Sequence, residues 1–312
     1  MTTSRAMSGQ DWAILLFLSV LWGGSFFFIE IAIRSVEPFT LVLIRVVLAS
    51  AMLWLYLLAR KERIALPPGA LAAFLVLALL NNVVPFVLFA WAQKAIDGGL
   101  ASILNATTPI WGVIVAHLAT QDEKATPGKI AGVLLGFAGV AVMIGADLLR
   151  DIGTEVLAQL ACLGATLCYA LAGVYARRFR AMGVSPIGVS TGQLTAAAIV
   201  MLPLVLLFES PWSAAPPTAA GWTALLALAL FCTTLAYILY FRLLASAGAT
   251  NTLLVTFLIP ITAILLGALI LGEQLAPRHF AGMALIGAGL AAIDGRLLRG
   301  RRLSRTDAPL MD

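Results

Sequence analysis

The chain has 312 residues, of which 61% are hydrophobic and 11% are charged, with a formal net charge of +5. A water-soluble domain carries about a quarter charged residues, whereas the mean hydropathy of this chain is +1.00. The composition therefore excludes a soluble enzyme or binding domain and predicts a protein that crosses a membrane several times.

Ten apolar segments follow one another along the chain. They lie near 12–33, 37–59, 69–93, 98–119, 128–147, 156–176, 184–208, 220–244, 248–271 and 278–297. Each is long enough to cross a hydrocarbon layer of about 30 Å as a helix, and spanning backbone must satisfy its own hydrogen bonds. A β-barrel would show segments of about ten residues that alternate apolar and polar, and no such alternation appears. The predicted fold class is an all-α integral membrane protein with ten transmembrane helices.

The placement of Lys and Arg predicts the orientation of these helices. Fifteen of the 20 basic residues lie on the side of the N-terminus, four lie on the opposite side, and Arg45 lies within a helix. Cytoplasmic loops carry the excess of positive charge, so we expect both termini in the cytoplasm, which requires an even number of helices. The positive net charge then reflects topology and attraction to anionic lipid, and no nucleic-acid partner is expected.

The second half of the chain repeats the first. The stretch "LIPITAILLGALILGEQLAPRHFAG" resembles "TTPIWGVIVAHLATQDEKATPGKIAG", and Pro109 aligns with Pro260 and Glu123 with Glu273 at an offset of about 150 residues. Five helices is an odd number, so the second copy enters the membrane from the opposite side. The predicted units are a first repeat at 1–148, an inverted second repeat at 149–297 and a basic cytoplasmic tail at 298–312.

Three stretches carry a resemblance to a known family. They are "LWGGSFFFIE" in helix 1, "LVLIRVVLASAMLWL" in helix 2, and "LGEQLAPRHFAGMALIGAGLAA" at the end. Together they resemble the EamA-type ten-helix exporters of the drug/metabolite transporter superfamily, although the first copy has "TQDEKATP" where that family usually has a Gly-Glu pair. The resemblance implies export of amino acids, aromatic ones included, across the bacterial inner membrane.

Charged residues inside the spans are candidates for function, because burial of charge in a membrane is costly. Arg45 lies about eight residues into helix 2, or roughly 12 Å below the outer edge. It either contacts substrate or is a packing residue that bonds helix-end carbonyls or pairs with Glu30. No titratable group lies at the centre of a span, so proton antiport and facilitated diffusion both stay open.

Polar and aromatic residues at mid-depth predict a central cavity. Asn81 and Phe86 in helix 3 align with Cys232 and Tyr237 in helix 8, and buried hydroxyl and amide groups need hydrogen-bond partners. The predicted cavity-lining residues are Trp22, Asn81, Asn82, Phe86, Asn105, Tyr169, Tyr237, Tyr240 and Thr256. Such a lining suits small neutral or zwitterionic solutes. Pro109 and Pro260 interrupt helices 4 and 9, and we expect them to act as hinges.

The alternative function is an integral-membrane enzyme that acts on lipid or peptide. The "GVSTG" stretch around Ser190 fits a nucleophile elbow, but that motif needs a strand-to-helix turn, and the sequence places it inside a helix. No paired acids and bases or metal-ligand spacing supports catalysis. We therefore expect a transporter with no catalytic residue, cofactor or metal, whose partners are a small-molecule substrate and membrane lipid; the oligomeric state stays open.

Overall fold

The computed structural model describes residues 7–121, 125–144, 153–209, 215–252 and 254–294. All regular secondary structure in these ranges is helical, which confirms the all-α class. Glu123 and the predicted basic tail at 298–312 lie outside the described residues.

The helices are named here in chain order. They are α1 (Gly9–Ala32), α2 (Pro38–Arg60), α3 (Ala70–Ala92), α4 (Gly98–Ala119), α5 (Pro127–Ile144), α6 (Thr154–Ala181), α7 (Pro186–Phe208), α8 (Ala219–Ala247), α9 (Val255–Leu266) and α10 (Pro277–Asp294). Within the described ranges, seven of them are long and apolar enough to cross a membrane, namely α1 to α4 and α6 to α8. The helices α5, α9 and α10 are shorter or less apolar, and α9 continues as a π-helical turn, Gly267–Leu271.

Proline and hydroxyl residues set the helix starts. Ser8 and Asp11 form a reciprocal capping box at the start of α1, which satisfies two orphan amides. Pro38 and Pro186 occupy the first turns of α2 and α7, where a missing N–H costs nothing. These residues begin the helices within a few positions of the predicted ends.

The helix α4 is interrupted before Pro109, as the sequence predicts. The backbone leaves the helix between Asn105 and Thr108, because Pro109 has no N–H to donate to the Asn105 carbonyl one turn earlier. The hydroxyl of Thr108 donates to that carbonyl instead, at 2.8 Å. The predicted interruption of helix 9 at Pro260 is wrong, because Pro260 lies inside the uninterrupted helix α9.

The helices α3 and α8 each contain a π-helical turn that the sequence patterns did not indicate. The turns are Leu79–Val83 and Leu230–Leu235, at matching places in the two halves. In α8, the hydroxyls of Thr233 and Thr234 donate to the carbonyls five residues earlier, at 2.8 and 2.9 Å. Each π turn adds a residue to one face of its helix and re-aims the side chains there.

The two halves pack against each other throughout. α1 contacts α8 and α9, while α6 contacts α3 and α4; α2 contacts α7, and α5 contacts α10. The last pair approaches most closely at glycines, since a Cβ atom on Gly132 would lie 2.5 Å from the Gly289 carbonyl oxygen. Small residues allow this approach in membranes.

The ends of the bundle differ in charge. We call the end that holds the turns 33–37, 93–97 and 272–276 the acidic face, since Glu30, Asp97, Glu209 and Glu273 lie there. The opposite end, with the turns 61–69 and 181–185, is the basic face; Arg60, Lys61, Arg63, Arg178 and Arg180 lie there.

Candidate functional site

A cavity of about 930 Å³ lies inside the bundle, within the size range of small-molecule sites. Eight of the nine predicted cavity residues line it, namely Trp22, Asn81, Phe86, Asn105, Tyr169, Tyr237, Tyr240 and Thr256. Their role in binding substrate stays a prediction, because a place in the cavity wall shows only where these side chains lie.

Asn82 lies behind the wall of the cavity. Its side chain is fully buried and its amide Nδ2 donates to the Tyr237 hydroxyl at 3.1 Å. Asn81 donates to the same hydroxyl at 3.4 Å and to Gln193 Oε1 at 3.1 Å. This network joins α3, α7 and α8, and it places Asn82 as a support for Tyr237 instead of a lining residue.

Arg45 is buried, with 5% of its surface exposed, and that surface faces the cavity. Its Nε donates to the Thr233 hydroxyl at 2.8 Å, within the π-helical turn of α8. Its guanidinium carbon lies 3.9 Å from the centre of the Phe86 ring, a cation–π contact. The ion pair between Arg45 and Glu30 that the sequence allowed is not formed. Glu30 pairs instead with Arg34, with 3.7 Å between Glu30 Oε1 and Arg34 Nη2.

Aromatic rings form the apolar wall of the cavity. Trp22 and Tyr240 are 5.4 Å apart between ring centroids, and Phe89 and Tyr169 are stacked at 6.2 Å. Phe26 meets Phe89 edge to face at 5.5 Å. These distances fall in the range preferred by aromatic pairs, so the wall combines rigid apolar surface with a few hydroxyl groups.

The cavity extends to the basic face. Its lining continues along α6 to Arg180 and then through Gly183 and Ser185 to the start of α7. None of the described residues in the acidic-face turns lines it. The described lining therefore reaches the basic face and none of the described acidic-face turns.

Two carboxylates of the second half hold helix N-termini of the first half at the acidic face. Glu209 accepts hydrogen bonds from the backbone amides of Phe39 and Thr40, at 2.8 and 2.7 Å, and from the Thr40 hydroxyl at 2.7 Å. Glu273 accepts from the backbone amide of Gly99 at 2.9 Å. Carboxylates are favoured at helix N-termini by the orphan amides and the helix dipole. We call these contacts the Glu209 latch and the Glu273 latch.

A buried amide lies beneath the latches. Gln93 is 3% exposed, and its Nε2 donates to the carbonyl of Phe26 at 2.8 Å, which connects α3 to α1. Among the described residues, Gln93 Oε1, Glu30 Oε2 and Glu273 Oε1 are buried acceptors without a hydrogen-bond partner. Unsatisfied buried acceptors of this kind cost free energy, and these three lie at the acidic face.

Burial also shifts the titration of the acidic face. It raises the pKa of Glu273, an effect opposed by the hydrogen bond from Gly99 and reinforced by the charge of Asp97. It likewise raises the pKa of Asp97, with His279 acting in the opposite direction. Both carboxyl groups are thus easier to protonate than free ones.

Gln193 and Glu209 are not among the residues predicted from the sequence. Gln193 is 3% exposed and is an amide in the middle of an apolar span, a signal that could have placed it among the candidates. Glu209 directly follows α7, and its partners on α2 are 169 and 170 residues away, so no local pattern indicates them. Ser190 lies buried within α7 and its hydroxyl donates to the Pro186 carbonyl, which is not the geometry of a nucleophile elbow.

The sequence model of the EamA-like transporter family matches the chain twice, over residues 10–145 and 156–293. The chain belongs to the EamA-like transporter family. Together with the apolar helices, this makes it a multi-pass membrane transporter, and the predicted membership of the drug/metabolite transporter superfamily is confirmed.

The matched relatives are named as transporters. The uncharacterized transporter YvbV of Bacillus subtilis is 29% identical over 88% of each chain. The uncharacterized inner membrane transporter YedA of Escherichia coli is 26% identical over 87% of this chain and 86% of its own. The uncharacterized transporter YoaV of Bacillus subtilis is 22% identical over 88% of this chain and 94% of its own.

A solved crystal structure shares the fold of this chain. It matches with a TM-score of 0.65 and 20% sequence identity, over 93% of this chain and 98% of the other. At this identity the match concerns the arrangement of helices alone.

Proposed function

We propose that this protein is a secondary exporter that carries small metabolites, amino acids and aromatic amino acids among them, by alternating access through the central cavity. The observation that carries the proposal is the asymmetry of the cavity: its lining reaches the basic face, whereas two latches tie the halves together at the acidic face. This is the geometry expected of one of the two end states of a transporter.

We further propose that the ten helices form two inverted five-helix repeats. The family model matches once in each half, the π-helical turns lie at matching places in α3 and α8, and the contacts of α1 with α8 and α9 mirror those of α6 with α3 and α4. A relation of this kind lets the latched end and the open end exchange roles. Pro109 and Pro260 keep their proposed role as hinges.

The orientation is part of the same proposal. Basic loops stay on the cytoplasmic side of bacterial inner membranes, so the basic face is assigned to the cytoplasm, with both termini. The state described here is then open to the cytoplasm and closed to the outside. A substrate would enter the cavity past Arg180 and leave after the Glu209 and Glu273 latches open.

Transport by purified protein in liposomes tests the proposal. Liposomes loaded with unlabelled L-phenylalanine should accumulate radiolabelled L-phenylalanine faster than protein-free liposomes, and Tyr237→Ala should lower that rate with an unchanged amount of protein in the membrane. The Gln274→Ala variant, at an exposed acidic-face position, is the matched control and should transport normally. Wild-type protein that moves no small metabolite from an amino-acid panel would contradict the proposed function.

A further inference from the structure

The cavity contains an arginine whose hydrogen-bonding capacity is largely unused. A guanidinium group has five N–H donors in a rigid planar fork, and the Nε–H of Arg45 is taken by Thr233. The two terminal nitrogens have no hydrogen-bond partner among the described residues. They are not among the fully buried polar atoms that lack a partner, so they are not fully buried. Since Arg45 lines the cavity, its four remaining N–H groups face the space a substrate would occupy.

The positive charge of Arg45 has no counter-ion in the described part of the chain. The titratable groups near it, among the described residues, are Tyr169, Cys232 and Tyr237, which carry no charge at physiological pH. The described residues that line the cavity include no aspartate or glutamate, and the second charged residue among them, Arg180, is also basic. A buried arginine without a carboxylate partner is costly, and an anionic ligand in the cavity would offset that cost.

The surroundings of Arg45 hold the fork in one orientation. Thr233 fixes the Nε edge from the π-helical turn of α8, and the ring of Phe86 covers one face of the group. The open edge is then the one with the two terminal nitrogens. That edge matches the two oxygens of a carboxylate in a bidentate pair, a geometry that lysine cannot provide.

We infer that Arg45 binds the carboxylate of the transported substrate, so that the substrates are small organic acids with an apolar or aromatic body, and that a substrate ammonium group is dispensable. The apolar body would pack against the wall formed by Trp22, Tyr240 and Phe89. Amino acids satisfy this requirement through their carboxylate, while organic cations are repelled by Arg45 and Arg180. The inference rests on the proposed function and narrows its substrate class.

A ligand series on the wild-type protein tests the inference without any variant. Binding to the purified protein is measured by titration calorimetry for 3-phenylpropionate, L-phenylalanine, L-phenylalaninamide and 2-phenylethylamine. The first two should bind with similar affinity, and the last two, which lack the carboxylate, should bind about ten- to a hundredfold more weakly, as expected for loss of charged hydrogen bonds. Equal affinity of L-phenylalanine and its amide would overturn the inference.

Variants then assign the preference to one residue. Arg45→Gln and Arg45→Lys should each remove most of the difference between 3-phenylpropionate and 2-phenylethylamine, whereas Arg34→Gln, which changes an exposed arginine at the acidic face, should keep it. If folded Arg45→Gln protein still prefers 3-phenylpropionate to 2-phenylethylamine, the assignment of carboxylate binding to Arg45 is overturned. Repeating the ligand series at low and at high sodium chloride separates an inorganic anion from an organic one: if chloride alone occupies Arg45, carboxylates gain nothing over amides at either concentration and the inference fails.

The outcome for transport is read separately. Uptake of radiolabelled L-phenylalanine that the amide inhibits as well as 3-phenylpropionate does would leave the exporter function standing and remove the role of Arg45. Carboxylate binding that depends on Arg45, in a protein that transports none of the panel, would support a carboxylate site at Arg45 and count against the exporter function.

Discussion

The carboxylate of Glu273 accepts a hydrogen bond from the backbone N–H of Gly99 at 2.9 Å, although the two residues are 174 positions apart. The bond ties the end of α9 to the first turn of α4, and burial raises the pKa of the carboxyl above its ordinary value, with Asp97 adding to the shift and Arg34 opposing it. We call the acidic-face end of the cavity, which the Glu209 and Glu273 latches hold closed, the gate. When the gate opens, we expect Glu273 to be solvated and its pKa to return toward about 4.3. A proton therefore binds more tightly to the closed gate, so acidification should favour closure.

The window of this pH effect follows from the same shift. The closed state becomes more favoured as the pH falls through the raised pKa of Glu273. The effect is complete below the ordinary glutamate pKa, where Glu273 is protonated in both the closed and the open state. A cysteine at Ser25, which lines the cavity, reports opening through an impermeant thiol reagent added at the acidic face, in a background without native cysteines and normalised to Gln274→Cys. Labelling should fall at pH 5 relative to pH 7.5, and Glu273→Gln should label slowly at both. Faster labelling in acid would contradict the assignment.

The Glu209 latch should hold the gate more strongly, because one carboxylate accepts three hydrogen bonds from Phe39 and Thr40. Loss of a helix cap costs about 0.5–2 kcal/mol, so Glu209→Ala should raise the labelling rate of Ser25→Cys from the acidic face by about two- to thirtyfold. Thr40→Val, which removes only the hydroxyl contact, is the matched control and should have a smaller effect. Equal effects of the two changes would show that the backbone contacts are not what holds the gate.

Removal of the Tyr237 hydroxyl should destabilise the protein. The hydroxyl accepts from the buried amide of Asn82 and from Asn81, and an unsatisfied buried donor costs about 1–3 kcal/mol. We expect Tyr237→Phe to lower the free energy of unfolding in detergent by about that amount and to slow transport. Tyr240→Phe, in the same cavity wall, removes a hydroxyl without these two contacts and should be nearly neutral in stability. The reverse order would contradict the network.

The contact between α5 and α10 should tolerate no side chain at its centre. A methyl group on Gly132 would lie 2.5 Å from the Gly289 carbonyl oxygen and 2.7 Å from Ile293 Cγ1, so Gly132→Ala must push the helices apart, at about 1–3 kcal/mol. Gly287→Ala, on the same helix pair, meets nothing within 4 Å and should be neutral or stabilising through helix propensity. Thermal unfolding of both variants in one detergent compares them, and equal midpoints would refute this packing account.

The two prolines should bias access in opposite directions if they are hinges of inverted halves. Pro109→Ala would let α4 close across its break, and Pro260→Ala would stiffen α9, each restoring an N–H that proline lacks. We expect both variants to bind substrate and to transport more slowly, one held toward the acidic face and the other toward the basic face. Labelling of Ser25→Cys from each side measures the bias, and a shift in the same direction in both variants would remove the hinge hypothesis.

The sequence by itself determined the class of this protein and its relation to a family. Long apolar segments must form helices in a membrane to satisfy their backbone hydrogen bonds. The motifs around Arg45 and Glu273 are local features of the sequence and can be recognised without knowing how the helices pack. The positions of polar residues at mid-depth also indicated a cavity, since Asn81, Tyr237 and Thr256 could satisfy their polar groups only there or against each other.

The tertiary structure decided which of these residues meet. Glu209 and Thr40, Glu273 and Gly99, and Arg45 and Thr233 are brought together from opposite halves of the chain, and no local period encodes a contact between residues more than 150 positions apart. The end at which the cavity opens and the unoccupied edge of the Arg45 guanidinium follow from these long-range contacts. Each depends on how the two halves pack and not on the order of residues in either half.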